Sequence, residues 1–386
     1  MRAMKRKNKV ACFLRFLLVL ATLLSLQACG GTGVTSINIG GGTNPPPPPP
    51  FTDFNAPGAG QRIDGGTFPL AINSSGIIVG WYYDVSGIVH GFTRTSDGTY
   101  SVIDAPGATT TVCCLGTFAE DINTSGSVTG YFNDSNLGSH GFIRAADGSY
   151  TTIDAAGYSG VAWTSINDSG VVIGSALGNN QSRTAFIRAT DGTMTFFDVP
   201  NASQTGIGTV PVKINSQGLV VGYFYDVGGS VRGFMRAVDG TITILDAPGD
   251  APPCSNCLTQ PAGINASGQI TGVTYDGTLT QFFLRDSDGT YTVFSPPNAI
   301  SSGSETGLLA VSGINDAGEI VGSYPDSTFV SHGFIRGTDG NFIVLDAGSA
   351  GSQGEYGTVA TGIDSSGAAV GSYSEAPSFS GGFVWK

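Results

Sequence analysis

The sequence predicts an all-β fold: a seven-bladed β-propeller of four-stranded antiparallel blades, its last blade closed by the N-terminal strand. Three observations lead there. An Ile-Asn corner recurs at Asn73, Asn123, Asn167, Asn215, Asn265 and Asn315, and as Ile-Asp at Asp364, with spacings of 50, 44, 48, 50, 50 and 49 residues. A fixed period of this size marks a repeat architecture, in which each unit buries its apolar faces only against its neighbours. Each period holds two tight hairpin corners, and the two ends of the chain carry complementary parts of one unit.

The first corner has Asn or Asp at its first position and Gly at its fourth in every copy, as in Asn73-Ser74-Ser75-Gly76. That is the chemistry of a type I turn followed by a left-handed residue. The second corner is Asp-Gly, at Asp97-Gly98 and its counterparts up to Asp339-Gly340. Around them lie four strands: one ending at the Ile-Asn, one over Ile77 to Tyr83, one centred on Phe92 and one over Tyr100 to Asp104. Runs apolar on both faces suit strands sandwiched between neighbouring sheets. A glycine inside the second strand (Gly80, Gly130, Gly174, Gly222, Gly272, Gly322, Gly371) implies close backbone approach between adjacent sheets. The seventh copy stops after a third strand at Lys386, while Thr52-Asp53-Phe54-Asn55-Ala56-Pro57-Gly58 reads as a fourth strand without a hairpin before it. Joining them would close the ring and remove its exposed edges; an open β-solenoid, the alternative, has no need of complementary halves.

Upstream, residues 1–28 read as a signal peptide: five basic residues by Lys9, then an apolar run from Phe16 to Leu26 that is too short to span a bilayer. Leu26-Gln27-Ala28-Cys29-Gly30 resembles a bacterial lipobox, which implies lipidation of Cys29; ordinary cleavage and secretion is the alternative. Residues 29–50 form a tether, rich in Gly and Thr and ending in six prolines, that would hold the 51–386 propeller domain away from the lipid. The expected location is an outer-membrane lipoprotein or the cell surface.

Charge narrows the partners. Of 17 basic residues six lie in the leader, leaving 11 against 29 acidic and a formal net charge of −18. Such a chain is a poor ligand for nucleic acid. Six of the remaining arginines (Arg94, Arg144, Arg188, Arg236, Arg285, Arg336) share one repeat position before the second corner and read as structural.

The third strand carries His90-Gly91-Phe92, His140-Gly141-Phe142 and His332-Gly333-Phe334, degenerating to Thr184-Ala185-Phe186, Arg232-Gly233-Phe234 and Gln281-Phe282-Phe283. Over residues 51 to 386 this resembles the extracellular HAF-repeat family. The resemblance implies an extracellular location, with no established activity or catalytic residues. Gly stands where the family motif has Ala. The three histidines fall in different repeats and are expected to be structural, and no catalytic residue is assigned.

Cys113-Cys114 and Cys254-Ser255-Asn256-Cys257 both lie in connections between repeats. Loop-stapling disulfides within each pair are the expectation in an exported protein, with redox or metal roles as alternatives. The variable connections all fall on one face of the propeller, where binding surfaces are usually built. Asp84, Asp134, Asp226, Asp276 and Asp326 end the second strand on that face, and each is either the cap of its own loop or a ligand of a hard cation such as Ca²⁺.

Two functions follow. One is a non-catalytic module, expected as a monomer, that binds a glycan, peptide or envelope partner through the long-loop face, with Tyr82, Tyr83, Phe132, Phe224 and Tyr225 either stacking on sugars or packed between blades. The other is a hydrolase or lyase acting on an extracellular polysaccharide, its acid and base two face carboxylates from different blades about 5 to 10 Å apart. The first is preferred because the acidic residues obey the repeat; an off-repeat carboxylate pair at the channel mouth would favour the second.

Overall fold

The computed structural model describes residues 51–60, 65–178, 182–204, 207–248, 257–300, 310–348, 350–351, 356–375 and 379–386. The leader, Cys29, the tether and Cys254 lie outside them. Among the described residues the regular structure is all β: 28 strands and no helix.

The first unit shows how the repeat folds. Its strands Gly65–Ile72, Ile78–Tyr83, Val89–Arg94 and Tyr100–Ile103 pair antiparallel in order. The same four-stranded meander recurs six times. In the last unit Phe379–Trp385 takes as its outer neighbour Thr52–Phe54, antiparallel, with Thr52 opposite Val384 and Phe54 opposite Gly382. The N-terminal strand is treated like any other fourth strand. The Ala56 amide donates to Thr67 Oγ1 (2.9 Å), as the Ala105 amide does to Thr117 Oγ1 (3.0 Å) and the Ala247 amide to Thr259 Oγ1 (2.9 Å). Phe54 is buried, and the Arg94 guanidinium lies 4.8 Å above its ring.

Backbone pairing links the units into three sheets of twelve, eight and eight strands, joined internally by short parallel bridges such as Gly160 to Ser139. Side-chain packing runs further. The first strands of consecutive units lie against one another in sequence order, and that of the seventh (Gly357–Ile363) lies against that of the first. Thr361 Oγ1 donates to the Pro69 carbonyl across this junction at 2.8 Å. Separate apolar clusters fill the spaces between units; one joins Val79 and Ile103 of the first to Phe132 and Phe142 of the second.

The corner asparagines do more than cap their turns. Asn73 Oδ1 accepts from the Ser75 and Ile77 amides (3.0 Å each), while its Nδ2 donates to the Asn123 carbonyl at 3.0 Å. Asn123 reaches Asn167, Asn167 reaches Asn215, Asn215 reaches Asn265, Asn265 reaches Asn315 and Asn315 reaches Asp364, all at 3.0 to 3.2 Å. Asp364 keeps the turn, accepting from the Ser366 and Ala368 amides, but a carboxylate has no proton to pass on to Asn73.

Every first strand also carries a bulge, and this corrects the expectation for the strand glycines. A Cβ on Gly80 would lie 2.1 Å from the Phe68 carbonyl oxygen, and one on Gly222 would lie 2.2 Å from that of Val210 and 2.8 Å from the Phe234 ring. The close approach is therefore within the unit: the bulge bends the first strand onto the second. A bulge also re-aims the side chain it carries.

Two outcomes are expected. Asp364→Asn should supply the missing donor and stabilise residues 51–386 by about 1 kcal/mol, read as a higher urea midpoint at unchanged slope. Phe54→Ala should lower the same midpoint by the equivalent of about 3 kcal/mol, because it opens a cavity where the chain ends meet.

Candidate functional site

On the long-loop face each predicted aspartate engages its own turn. Asp84 Oδ1 accepts from the Ser86 and Ile88 amides at 2.8 Å, Asp134 from Asn136 and Gly138, Asp226 from Gly228 and Ser230, Asp276 from Thr278 and Leu279, and Asp326 from Thr328 and Val330. The structure does not bring them together. Among the described residues no group of three or more His, Cys, Asp or Glu side chains is placed to hold a metal ion.

What three of these aspartates do face is the motif histidine. His90 Nδ1 bonds Asp104 Oδ1 at 2.7 Å while Nε2 lies 3.7 Å from Asp84 Oδ2. His140 stands likewise between Asp154 and Asp134, and His332 between Asp346 and Asp326. In the fourth unit Arg232 replaces the histidine and pairs Asp246 through Nε at 3.0 Å and through Nη2. The remaining units confirm the logic: the third has Gly178, Thr184 and Asp198, the fifth Asp276, Gln281 and Ser295, the seventh Glu375, Gly381 and Asn55. A base occupies the middle position where both flanks are acidic and is missing where only one is. The histidine is thus a charge clasp across three strands, and the sequence carried this signal in the offsets of 6 and 14 residues.

The aromatic residues near this face are packed inward. Tyr82, Tyr83, Phe132 and Phe224 are buried, and Tyr82 and Phe132 stack beneath His90 and His140 at 5.3 and 5.1 Å. Tyr225 is half-buried beside Tyr223. One cysteine pair departs from expectation: Cys113 is free and exposed, with its sulfur 3.1 Å from that of Cys114, so no bridge joins this vicinal pair, while the expected Cys254–Cys257 bridge involves a residue outside the described ones. Cys114 and Cys257 each take part in a disulfide.

The residues that break the repeat gather on the inner strands of the second to fourth units. Two and three positions before the corner, other units have Leu70-Ala71, Ala262-Gly263, Ser312-Gly313 and Thr361-Gly362; the second has Glu120-Asp121 and the fourth Lys213. Asp121 is buried. Its carboxylate takes Lys213 Nζ at 2.8 Å on both oxygens and the Ser165 hydroxyl at 2.6 Å. Glu120, carried on the bulge, accepts from the Thr164 amide (2.7 Å) and hydroxyl (3.1 Å). Desolvation pushes its carboxyl up to about 8, against those hydrogen bonds.

The third unit bulges one residue earlier than the rest, at Trp163, whose φ is +48°. The shift sets the indole 3.7 Å from the Arg183 guanidinium. Arg183 is 8 % exposed, and burial pulls it down to about 10. Tyr131 stacks on Phe118 at 4.7 Å beside this group, and Tyr223, raised to about 12 by burial, feels the same guanidinium. The sequence signal was a departure from the repeat at a fixed position, which averaging over the copies conceals.

No protein-family model matches the chain, and no curated protein matches it in sequence. Among solved structures it is similar to virginiamycin B lyase from Staphylococcus aureus, with a TM-score of 0.50 and 12% identity over 87% of this chain and 99% of that one. It is also similar to TolB from Acinetobacter baumannii (TM-score 0.46, 13% identity, 72% and 62% covered) and to the six-bladed fungal lectin of Aleuria aurantia (0.42, 11%, 74% and 96%). At these identities the likeness concerns fold alone. The class is that of an all-β propeller.

The clasps give a pH dependence. The hydrogen bond to Asp104 raises His90, opposed by burial and helped by the charges of Asp104 and Asp84; His332 is raised in the same way by Asp346. A raised folded value means that the clasp's contribution is complete below the ordinary imidazole value of 6.5 and fades as pH climbs through the folded one. The stability gap between wild type and His90→Gln should therefore be widest near pH 6 and shrink toward pH 9, in urea titrations at both ends, whereas the gap between His90→Arg and His90→Gln should stay constant.

Proposed function

We propose that the chain is an exported, lipid-anchored member of the HAF-repeat family whose seven-bladed propeller acts as a non-catalytic module binding a glycan. The leader and lipobox at Cys29 support export and anchoring, and the His-Gly-Phe copies support the family. The cyclic packing of seven inner strands and the pairing of Thr52–Phe54 with Phe379–Trp385 support the blade count and its closure.

The observation that carries the binding reading is the one-sided inner wall. In a framework whose face carboxylates cap turns and flank clasps, the second to fourth units set Glu120, Asp121, Trp163 and Lys213 on their first strands, with Tyr131 on a second strand and Arg183 at the start of a third beside them. Flat aromatic surface beside fixed donors and acceptors is the usual make-up of a pocket for a polyhydroxylated ligand. This moves the binding site from the loop face to the inner wall.

Glu120 and Asp121 are the off-repeat carboxylate pair that would favour an enzyme. They are consecutive residues of one strand, though, and Asp121 is already spent on Lys213. Acid and base from different blades, the arrangement expected above for a propeller enzyme, are not what this pair supplies.

Titration calorimetry of residues 51–386 against bacterial surface oligosaccharides tests the proposal. Trp163→Ala and Tyr131→Ala should each weaken binding about tenfold or more, Asp154→Asn should leave it unchanged, and the sugar should be recovered intact. Loss of affinity in Asp154→Asn with the wall variants unaffected would return the site to the loop face, and cleaved sugar would establish the enzyme.

A further inference from the structure

We infer that the inner-wall site takes a sugar bearing a single carboxylate, with Arg183 as its counter-ion. The inference rests on the glycan-binding reading above and adds the ligand's charge. Arg183 is more than nine-tenths buried, and its Nη1 has no hydrogen-bond partner. Among the described residues no carboxylate forms an ion pair with it. The two acids of the wall are otherwise committed: Asp121 to Lys213 and the Ser165 hydroxyl, Glu120 to Thr164. With its carboxyl raised to about 8, Glu120 is mostly neutral at pH 7 and gives Arg183 little compensation.

A guanidinium withdrawn from water without a counter-ion is costly, and the fold retains one here beside an indole face. The cation–π contact covers one face of the group and leaves the unpartnered in-plane Nη1 for an acceptor. A carboxylate matches that planar donor edge, where a hydroxyl could take only one bond and leave the charge unpaired. Trp163 and Tyr131 would then border the sugar ring, and neutral Glu120 can donate to one of its hydroxyls. The number of charges follows from the rest of the chain. With 29 acidic against 11 basic residues in 51–386, the protein repels a polyanion at long range, so one acid group on an otherwise neutral glycan fits best.

The test follows tryptophan fluorescence of residues 51–386 on titration with glucuronic acid, its methyl ester, glucose and glucose 1-phosphate, in wild type, Trp163→Phe, Arg183→Lys and Arg183→Gln. Circular dichroism checks that each variant is folded. Glucuronic acid should change the emission saturably and bind about 10-fold to 100-fold more tightly than its ester; Trp163→Phe should lose the signal. Arg183→Gln should equalise acid and ester while both still bind, and Arg183→Lys should keep part of the preference. Should Arg183→Gln fail to fold, the lysine variant and the acid-to-ester ratio in wild type decide. Equal affinity for acid and ester in wild type, or a preference that survives Arg183→Gln, overturns the inference but leaves the glycan reading standing. Glucose 1-phosphate binding as tightly as glucuronic acid overturns the carboxylate assignment, and no binding by any of the sugars overturns both readings.

Discussion

The corner asparagine amide is the constraint on which the rest of this structure depends. One side chain performs two tasks with two different atoms. The oxygen closes its own turn, and the nitrogen donates 44 to 50 residues down the chain to the next corner's carbonyl. An aspartate can do the first and not the second, so a local turn preference alone would let the two alternate freely. Asn stands at six of seven corners, and Asp appears at the one place where the next unit in space is the first in sequence. The ladder is therefore open and has a direction, from the first unit to the seventh. The junction it leaves out is held by other means: Thr361 on Pro69, and the N-terminal strand on the last hairpin.

Charge in this protein is organised at two levels. On the loop face it is moderated unit by unit, with one base wherever two acids would otherwise confront each other, so each clasp is local to its unit and the motif histidine is free to become Arg. Inside, the balance is struck between units: Asp121 of the second meets Lys213 of the fourth across Ser165 of the third. Arg183 is left over. Repetition supplies a rigid wall, and the off-repeat charged and aromatic side chains stand where the repetition lapses.

Much of the fold was legible because its determinants are short. Four residues specify each corner, so the period and the two halves of the last unit could be read directly from the chain. The inner wall was not legible, because bulges depend on how two strands meet and leave no composition signal; Glu120 and Trp163 owe their direction to them. The aromatics stayed open for a related reason: strands covered on both faces show no polar alternation, so Tyr82 and Phe132 fitted a surface or the space between blades equally. The histidine clasp lay in between. Its partners stand 6 and 14 residues away in the first, second, fourth and sixth copies, and comparing charges across the seven would have found them. The vicinal Cys113-Cys114 pair shows the limit of proximity as a guide, for neighbours in sequence did not bond.

The N-terminal strand has a mechanical side. Residues 1–50 all enter the fold through Phe51, next to the three paired residues Thr52, Asp53 and Phe54. Any tension borne by that segment reaches the body of the protein through those same three rungs and the ring of Phe54. The segment's point of entry and the pairing of the two chain ends coincide, at the one junction that the amide ladder does not cross. Under load the strand works as a fuse: its detachment would uncover the last unit's edge while the six bonded corners kept the rest in register.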